Sequence, residues 1–131
     1  MWRITLQEQP LRLMVVYLNQ SNRRYNMNNR FNNKVVIITG GGSGIGLETA
    51  HQFAEEGAIT VIADINAEKE AEVLATFTAR NQECIYHPAD VANTNDVKKL
   101  VNTVIERYGK IDVLLNNAGI EISGAITDYT E

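Results

Sequence analysis

Apolar residues recur along this chain with two different periods, and the alternation between them predicts its architecture. Residues 34–39, Lys-Val-Val-Ile-Ile-Thr, form a continuous β-branched run. It is too short for a helix and apolar on both faces, as a buried parallel strand is. A glycine cluster follows at once. Residues 45–56 then place Ile45, Thr49, Ala50, Phe53 and Ala54 on one helical stripe, with Gly57 as the stop. Residues 59–63 form a second apolar strand ending in Asp64. Residues 67–80 predict a helix with Ala71, Leu74, Ala75 and Thr78 inward and Asn66 as its N-cap. A third short strand covers 84–87 and a loop 88–92. The next helix, 93–108, turns Val97, Leu100, Val101 and Val104 toward the sheet and ends at Gly109. Residues 111–115 give a fourth buried strand, which runs into Asn116-Asn117-Ala118-Gly119 and a short tail. Strands alternating with helices in this way require a parallel sheet with right-handed crossovers. The class expected is a doubly wound α/β fold with strand order 3-2-1-4.

Composition adds an asymmetry. The 131 residues leave room for one domain, and an apolar share of 44% is ordinary for a globular core. Residues 1–30 carry five arginines against Glu8, a net +4, which leaves −8 for the rest of a chain whose total is −4. An acidic remainder argues against a nucleic-acid partner, because phosphate-backbone binding draws its affinity from clustered Lys and Arg. No apolar stretch approaches the roughly 18 residues of a membrane-spanning helix. Cys84 is the single cysteine. With no internal disulfide available, it points to a reducing compartment such as the cytoplasm, and its apolar neighbours place it in the core.

The opening, residues 1–32, is set apart as an N-terminal extension. Asn19-Gln20-Ser21-Asn22 offers no small-x-small cleavage site after the apolar stretch, which weakens a signal-peptide reading. Three readings fit the segment: an upstream extension or disordered tail ahead of a true start at Met27, a mitochondrial presequence, or a docked structural element. The domain proper is expected over 33–131.

The chemistry lies in the glycines. Thr39-Gly40-Gly41-Gly42-Ser43-Gly44-Ile45-Gly46 stands between a strand and a helix, where amide groups point outward and the helix dipole favours an anion. Gly40 permits the sharp exit from the strand, Gly44 lets phosphates approach bare backbone, and Gly46 lets the helix pack closely. A glycine-rich turn alone is weak evidence, since mobile surface loops use the same residues. Context strengthens it. The cluster follows a buried strand, opens a helix, lacks the Lys-Ser/Thr of a P-loop, and is followed 20 residues after Gly44 by Asp64. A pyrophosphate-bearing dinucleotide bound in a Rossmann-like fold is the expectation.

Asp64 decides which dinucleotide. Its carboxylate can accept from both hydroxyls of the adenosine ribose, each charge-assisted bond contributing about 1.5–3 kcal/mol. The extra phosphate of NADP would meet that carboxylate with a repulsion of about 4 kcal/mol per unit charge at ~4 Å and an effective dielectric of about 20. No Arg or Lys occupies positions 43, 65 or 66 to reverse the preference. NAD is expected over NADP.

These residues resemble the classical short-chain dehydrogenase/reductase family. The run from Thr39 to Gly46 matches its TGxxxGxG and the turn from Asn116 to Gly119 its NNAG. The likeness covers about 33–131, the N-terminal cofactor-binding half of such a protein. It implies hydride transfer between a nicotinamide and an alcohol or carbonyl. It also implies a cofactor site made by Gly40, Ser43, Gly44, Ile45, Gly46 and Asp64, with Asp90 and Val91 against the adenine and Asn117, Ala118 and Gly119 beside the cofactor. If the first and fourth strands are neighbours, the Thr39 hydroxyl can bond to the Asn-Asn-Ala-Gly turn. The family's catalytic Tyr, Lys and Ser are expected beyond the fourth strand. Tyr129 and Ser123 follow the turn too closely to fill those roles, so no catalytic residue is assigned. His51 and His87 lack ligand spacing, and no metal is expected.

Two functions follow from different classes. One is the N-terminal part of an NAD-dependent oxidoreductase, inactive by itself. The other is a non-catalytic NAD-binding or interaction module, docking through the apolar edge at 111–115 onto another chain or a second copy. A chain that never folds stably is the third possibility.

Overall fold

The computed structural model describes residues 3–6, 14–17 and 29–120. Two short strands, β1 (Arg3–Leu6) and β2 (Met14–Tyr17), pair antiparallel within the opening segment. The fold that matters for the site is a second, four-stranded sheet: β3 (Val35–Thr39), β4 (Ile59–Asp64), β5 (Cys84–Pro88) and β6 (Val113–Leu115). Its order is β5-β4-β3-β6, with every neighbouring pair parallel. Counted from the first strand of the domain this is 3-2-1-4, the doubly wound Rossmann-like arrangement its sequence pattern implies.

Three helices connect the strands: α1 (Gly44–Glu55), α2 (Glu70–Ala79), entered through a 3-10 turn at Ala67–Lys69, and α3 (Thr94–Tyr108). α1 and α2 cover one face of the sheet, where Ala50, Phe53, Val73 and Phe77 pack on Val36, Ile38, Ile62 and Leu115. α3 covers the other, with Leu100 and Val104 on Val35, Ile37, Val61 and Ala63. Adjacent residues of β3 and β4 thus serve opposite cores, which is why those strands read as continuous apolar runs rather than alternating ones.

Which residues of each helix face inward differs in part from the spacing argument. On α2 the buried positions are Val73 and Phe77, while Ala71, Ala75 and Thr78 are exposed. The helix is turned so that its two bulky side chains are buried, and burying one large apolar side chain outweighs burying several alanines. On α1, Ile45 was expected on the buried stripe but is 68% exposed. His51 is buried instead, stacked on Phe77 at 4.0 Å and bonded through its two ring nitrogens to Gln82 and Thr76. On α3, Leu100 and Val104 are buried, but Val97, Val101 and Ile105 stay exposed. Among the described residues no second helix lies beside α3 to cover that flank.

The packed unit begins slightly before the strand. Phe31 meets Phe53 edge-on at 4.8 Å, its amide donates to the Glu56 carbonyl at 2.9 Å, and Arg30 pairs with the Glu56 carboxylate. Cys84 is partly buried against the first core, and burial pushes its thiol up to about 11. Such a thiol is protonated and unreactive at neutral pH.

At the amino ends of β3 and β6, Asp112 works twice. Its amide donates to the Val35 carbonyl at 2.9 Å, and its carboxylate accepts from the Val35 amide at 2.8 Å. The Val35 amide, and after it the Lys110 ammonium, hold this carboxyl below the usual aspartate range. A depressed folded-state pKa contributes stability that is present above the unfolded value and lost as pH falls through the folded one. Urea denaturation should therefore find Asp112→Asn less stable at neutral pH and less sensitive to acid than the unsubstituted chain; equal acid sensitivity would refute that role. The same assay should show Phe77→Ala losing about 3–5 kcal/mol, with Ala75→Ser close to neutral. A larger loss at Ala75 would restore the other face of α2.

Candidate functional site

Parallel strands deliver their last residues to one edge of the sheet. Thr39 ends β3, Asp64 ends β4, Asp90 and Val91 follow β5, and the Asn116 to Gly119 turn follows β6. A crevice at the carboxyl ends, where neighbouring connections leave toward opposite faces, is where open α/β sheets hold ligands.

The Thr39 hydroxyl fastens two of these ends. It accepts from the amides of Asn117 and Ala118, each at 3.0 Å, and lies 3.4 Å from the Leu115 carbonyl to which it donates. The Asn117 side-chain amide donates in turn to the carbonyls of Thr39 and Gly40, both at 3.1 Å. The contact between Thr39 and the turn that the strand order implied is therefore present, doubled by an asparagine side chain. Gly119 is exposed beyond the turn and has open space where a Cβ would stand.

The glycine loop is confined at Gly40 and at Gly46. A Cβ at Gly40 would stand 2.8 Å from the Ala118 Cα. At Gly46 it would overlap the Gly40 carbonyl oxygen and the Asn117 side chain. Gly46 thus permits close packing, as expected, but against the loop and the Asn117 turn. Gly44 is the opposite case. It has φ +54°, and a Cβ there would meet no protein atom within 4 Å, so its exposed face is open to a ligand.

α1 and α2 both start without a side-chain cap, but α2 carries Glu70 and Glu72 in its first turn and α1 carries no acid there. Ser43, the N-cap of α1, is exposed. Asn93 by contrast caps α3, accepting from the amides of Asn95 and Asp96, and Asn66 caps the 3-10 turn by accepting from Glu68. The leading amides of a helix have no intrahelical partner, so an uncapped start retains its capacity to bind an anion.

Asp64 stands beside that start. Its Oδ2 accepts from the Gly42 amide at 2.9 Å and its Oδ1 from the Asn66 amide at 3.0 Å. The sequence did not reveal the Gly42 contact, because the spacing of a glycine motif says nothing about which carboxylate its middle residue will meet. The Tyr86 hydroxyl, also missed, donates to the Asn66 carbonyl at 2.6 Å from below. Burial first, then the charges of Asp64 and Glu70, push that phenol up to about 12, so it remains a donor.

The remaining candidates lie on the same rim. Asp90 holds its own turn, accepting from the Ala92 amide at 2.9 Å while its amide donates to Asp96 at 3.1 Å. Val91 is exposed, as are Ile45 and Ile65 at 68% and 71%. The structure thus brings the glycine loop, Asp64, the residues after β5 and the Asn117 turn to one edge. Tyr129 and Ser123 lie outside the described residues. Among the described residues no group of three or more His, Cys, Asp or Glu side chains is placed to hold a metal ion, and no helix is long and apolar enough to cross a membrane.

Replacing Thr39 tests this junction. Thr39→Val leaves two amides of the turn without their acceptor and should cost about 1–3 kcal/mol in chemical denaturation. Thr39→Ser should retain most of the stability; equal losses would assign the effect to packing instead.

Comparison with known proteins agrees with this geometry. Residues 34–131 match the family model described as short chain dehydrogenase. A (2S)-[(R)-hydroxy(phenyl)methyl]succinyl-CoA dehydrogenase subunit, BbsD, of Thauera aromatica is 43% identical over 76% of this chain and 40% of its own length. The meso-2,3-butanediol dehydrogenase of Serratia marcescens is 42% identical over 76% of this chain and 39% of its own. The solved L-sorbose reductase of Gluconobacter frateurii, complexed with NADPH and L-sorbose, superposes with a TM-score of 0.72 at 30% identity, over 82% of this chain and 40% of that one. The chain spans about two fifths of the length of these relatives.

Proposed function

The chain belongs to the short-chain dehydrogenase family, and on that premise we propose that it holds NAD at the carboxyl edge of its sheet. In this reading it forms the cofactor-binding part of an oxidoreductase that passes hydride between the nicotinamide and an alcohol or carbonyl. One observation carries the reading: the 2.9 Å bond from the Gly42 amide to the Asp64 carboxylate. It sets the uncapped start of α1, which suits a diphosphate, directly beside an acid that suits a ribose.

Asp64 has capacity for both contacts. Two carboxylate oxygens offer about four acceptor sites, and the Gly42 and Asn66 amides use one on each. One site per oxygen therefore remains for a ribose hydroxyl. A phosphate on that ribose would face an anion with no Lys or Arg at positions 43, 65 or 66 to offset it. The family is not confined to NAD, since the solved L-sorbose reductase is complexed with NADPH; in this reading the choice here rests on Asp64. Ser43, Ile45 and Gly46 line the diphosphate side together with Gly40 and Gly44. Ile65 and Val91 offer apolar contact to the adenine, Asp90 accepts from its amino group, and Asn117, Ala118 and Gly119 flank the nicotinamide half. The family's proton-transferring tyrosine and lysine are assigned to no residue of this chain.

A second reading is favoured by β6. It is an edge strand among the described residues and leaves Leu114 51% exposed, beside a sheet face that α3 alone covers. Such an edge suits pairing with another chain or a second copy. The acidic remainder of the sequence disfavours nucleic acid, and a single unpaired cysteine fits a reducing compartment such as the cytoplasm.

Calorimetric titration tests the cofactor. The chain should bind NAD and reject NADP. Asp64→Ala should weaken NAD about tenfold or more and narrow the gap to NADP, as loss of a charge-assisted bond implies. Gly44→Val should abolish binding, while its cost in stability stays near the roughly 1–3 kcal/mol of a strained backbone angle. Unchanged affinities in both variants would overturn the reading.

A further inference from the structure

Gly42 has no duty of its own in the glycine motif, yet it is the tightest point between the loop and the specificity acid. Its φ is not among the positive ones, so the backbone angle itself admits any residue there. Space does not. A Cβ would stand 2.8 Å from the Asp64 Oδ2, 2.8 Å from the Tyr86 hydroxyl oxygen and 2.9 Å from the Asp64 Cγ.

We propose that Gly42 and Tyr86 are positioning residues that set dinucleotide selectivity by fixing the Asp64 carboxylate, Gly42 from the loop side and Tyr86 through Asn66. The claim rests on the NAD reading above. Each oxygen of Asp64 is held by a separate backbone amide, Gly42 on Oδ2 at 2.9 Å and Asn66 on Oδ1 at 3.0 Å. The Asn66 amide is itself steadied, because the Asn66 carbonyl accepts from Tyr86 at 2.6 Å. Tyr86 is buried in the same core cluster as Phe77 and Val73, which restricts the room its ring has to move. A side chain at position 42 would therefore meet a confined hydroxyl on one side and displace the carboxylate on the other. The Ala89 amide, donating to the Asp64 carbonyl at 2.9 Å, anchors the backbone of that residue, so the displacement falls on the carboxylate alone.

Held by two amides, the carboxylate presents its remaining acceptor sites in one orientation. That rewards a ribose diol and penalises a ribose phosphate, because the charge cannot rotate away. A loosened carboxylate would lose both effects together. The readout is accordingly the ratio of NAD to NADP affinity. A general loss of fold lowers both affinities and leaves their ratio unchanged.

Titrating the full chain with NAD and with NADP tests the proposal in five proteins: unsubstituted, Gly42→Ala, Tyr86→Phe, Asp64→Ala and the Gly42→Ala/Asp64→Ala pair. Gly42→Ala should cut the ratio about tenfold, the scale of one charge-assisted hydrogen bond. Tyr86→Phe, which keeps the ring and the core, should cut it by less. Against the Asp64→Ala background, Gly42→Ala should change the ratio no further, since the acid through which it acts is gone. A ratio unchanged in both Gly42→Ala and Tyr86→Phe while NAD still binds would overturn the proposal and leave the NAD reading standing. A drop in the Asp64→Ala background as large as in the unsubstituted chain would also overturn it. Absence of dinucleotide binding by the unsubstituted chain would remove the NAD reading, and this proposal with it.

Discussion

Backbone approaching backbone without an intervening side chain is the constraint on which the site depends. Between β3 and α1 the chain must pass the Asn117 turn on one side and Asp64 on the other. It clears both only because Gly40, Gly42 and Gly46 have no Cβ. The close passage brings the Gly42 amide to Asp64 and the Gly40 carbonyl to Asn117. The Thr39 hydroxyl then locks the same loop to the turn after β6. Three connections that are remote in sequence become one bonded rim, and an ordered rim of this kind would leave little order for a ligand to impose.

The supporting sheet explains why the rim stays in place. β3 lies between β4 and β6 and is buried along its whole length, so its end at Thr39 is fixed from both sides. Asp112 fixes the opposite end by exchanging bonds with Val35. The carboxyl edge inherits this precision: the residues of the candidate site stand on loops, but the loops begin at strand ends held within the sheet. Among the described residues, α1 and α2 pack on one face and α3 on the other, and these helices leave the edge itself uncovered.

Much of this was legible in the sequence. β-branched runs of five or six residues can only be buried strands when glycines and helical stripes alternate with them, and strand order follows from that alternation. The glycine spacing and the acid at the end of β4 pointed to the edge of the sheet where the loop, Asp64 and the Asn117 turn come together. The inward faces of α1 and α2 were less legible. Spacing alone fits several stripes, and the choice is made by which bulky side chains reach the sheet: Val73 and Phe77 prevail over Ala71 and Ala75, and His51 enters the core because Gln82 and Thr76 satisfy its ring. The roles of Gly42 and Tyr86 were hidden for a different reason. They depend on contacts across 22 and 20 residues of sequence, a loop amide on a carboxylate and a phenol on a carbonyl, and no periodicity records such contacts.

Family membership and the length of chain shared with its relatives agree with a cofactor-binding role: about two fifths of each relative suffices to match the sheet, the glycine loop and the Asn117 turn. The most direct test is to follow the backbone amide resonances of the chain during titration with NAD. The account requires the largest shifts at Gly44, Ile45 and Gly46, with a second set at Asp64 and Ile65 saturating at the same concentration. Shifts confined to other parts of the chain, or the two sets saturating independently, would contradict it.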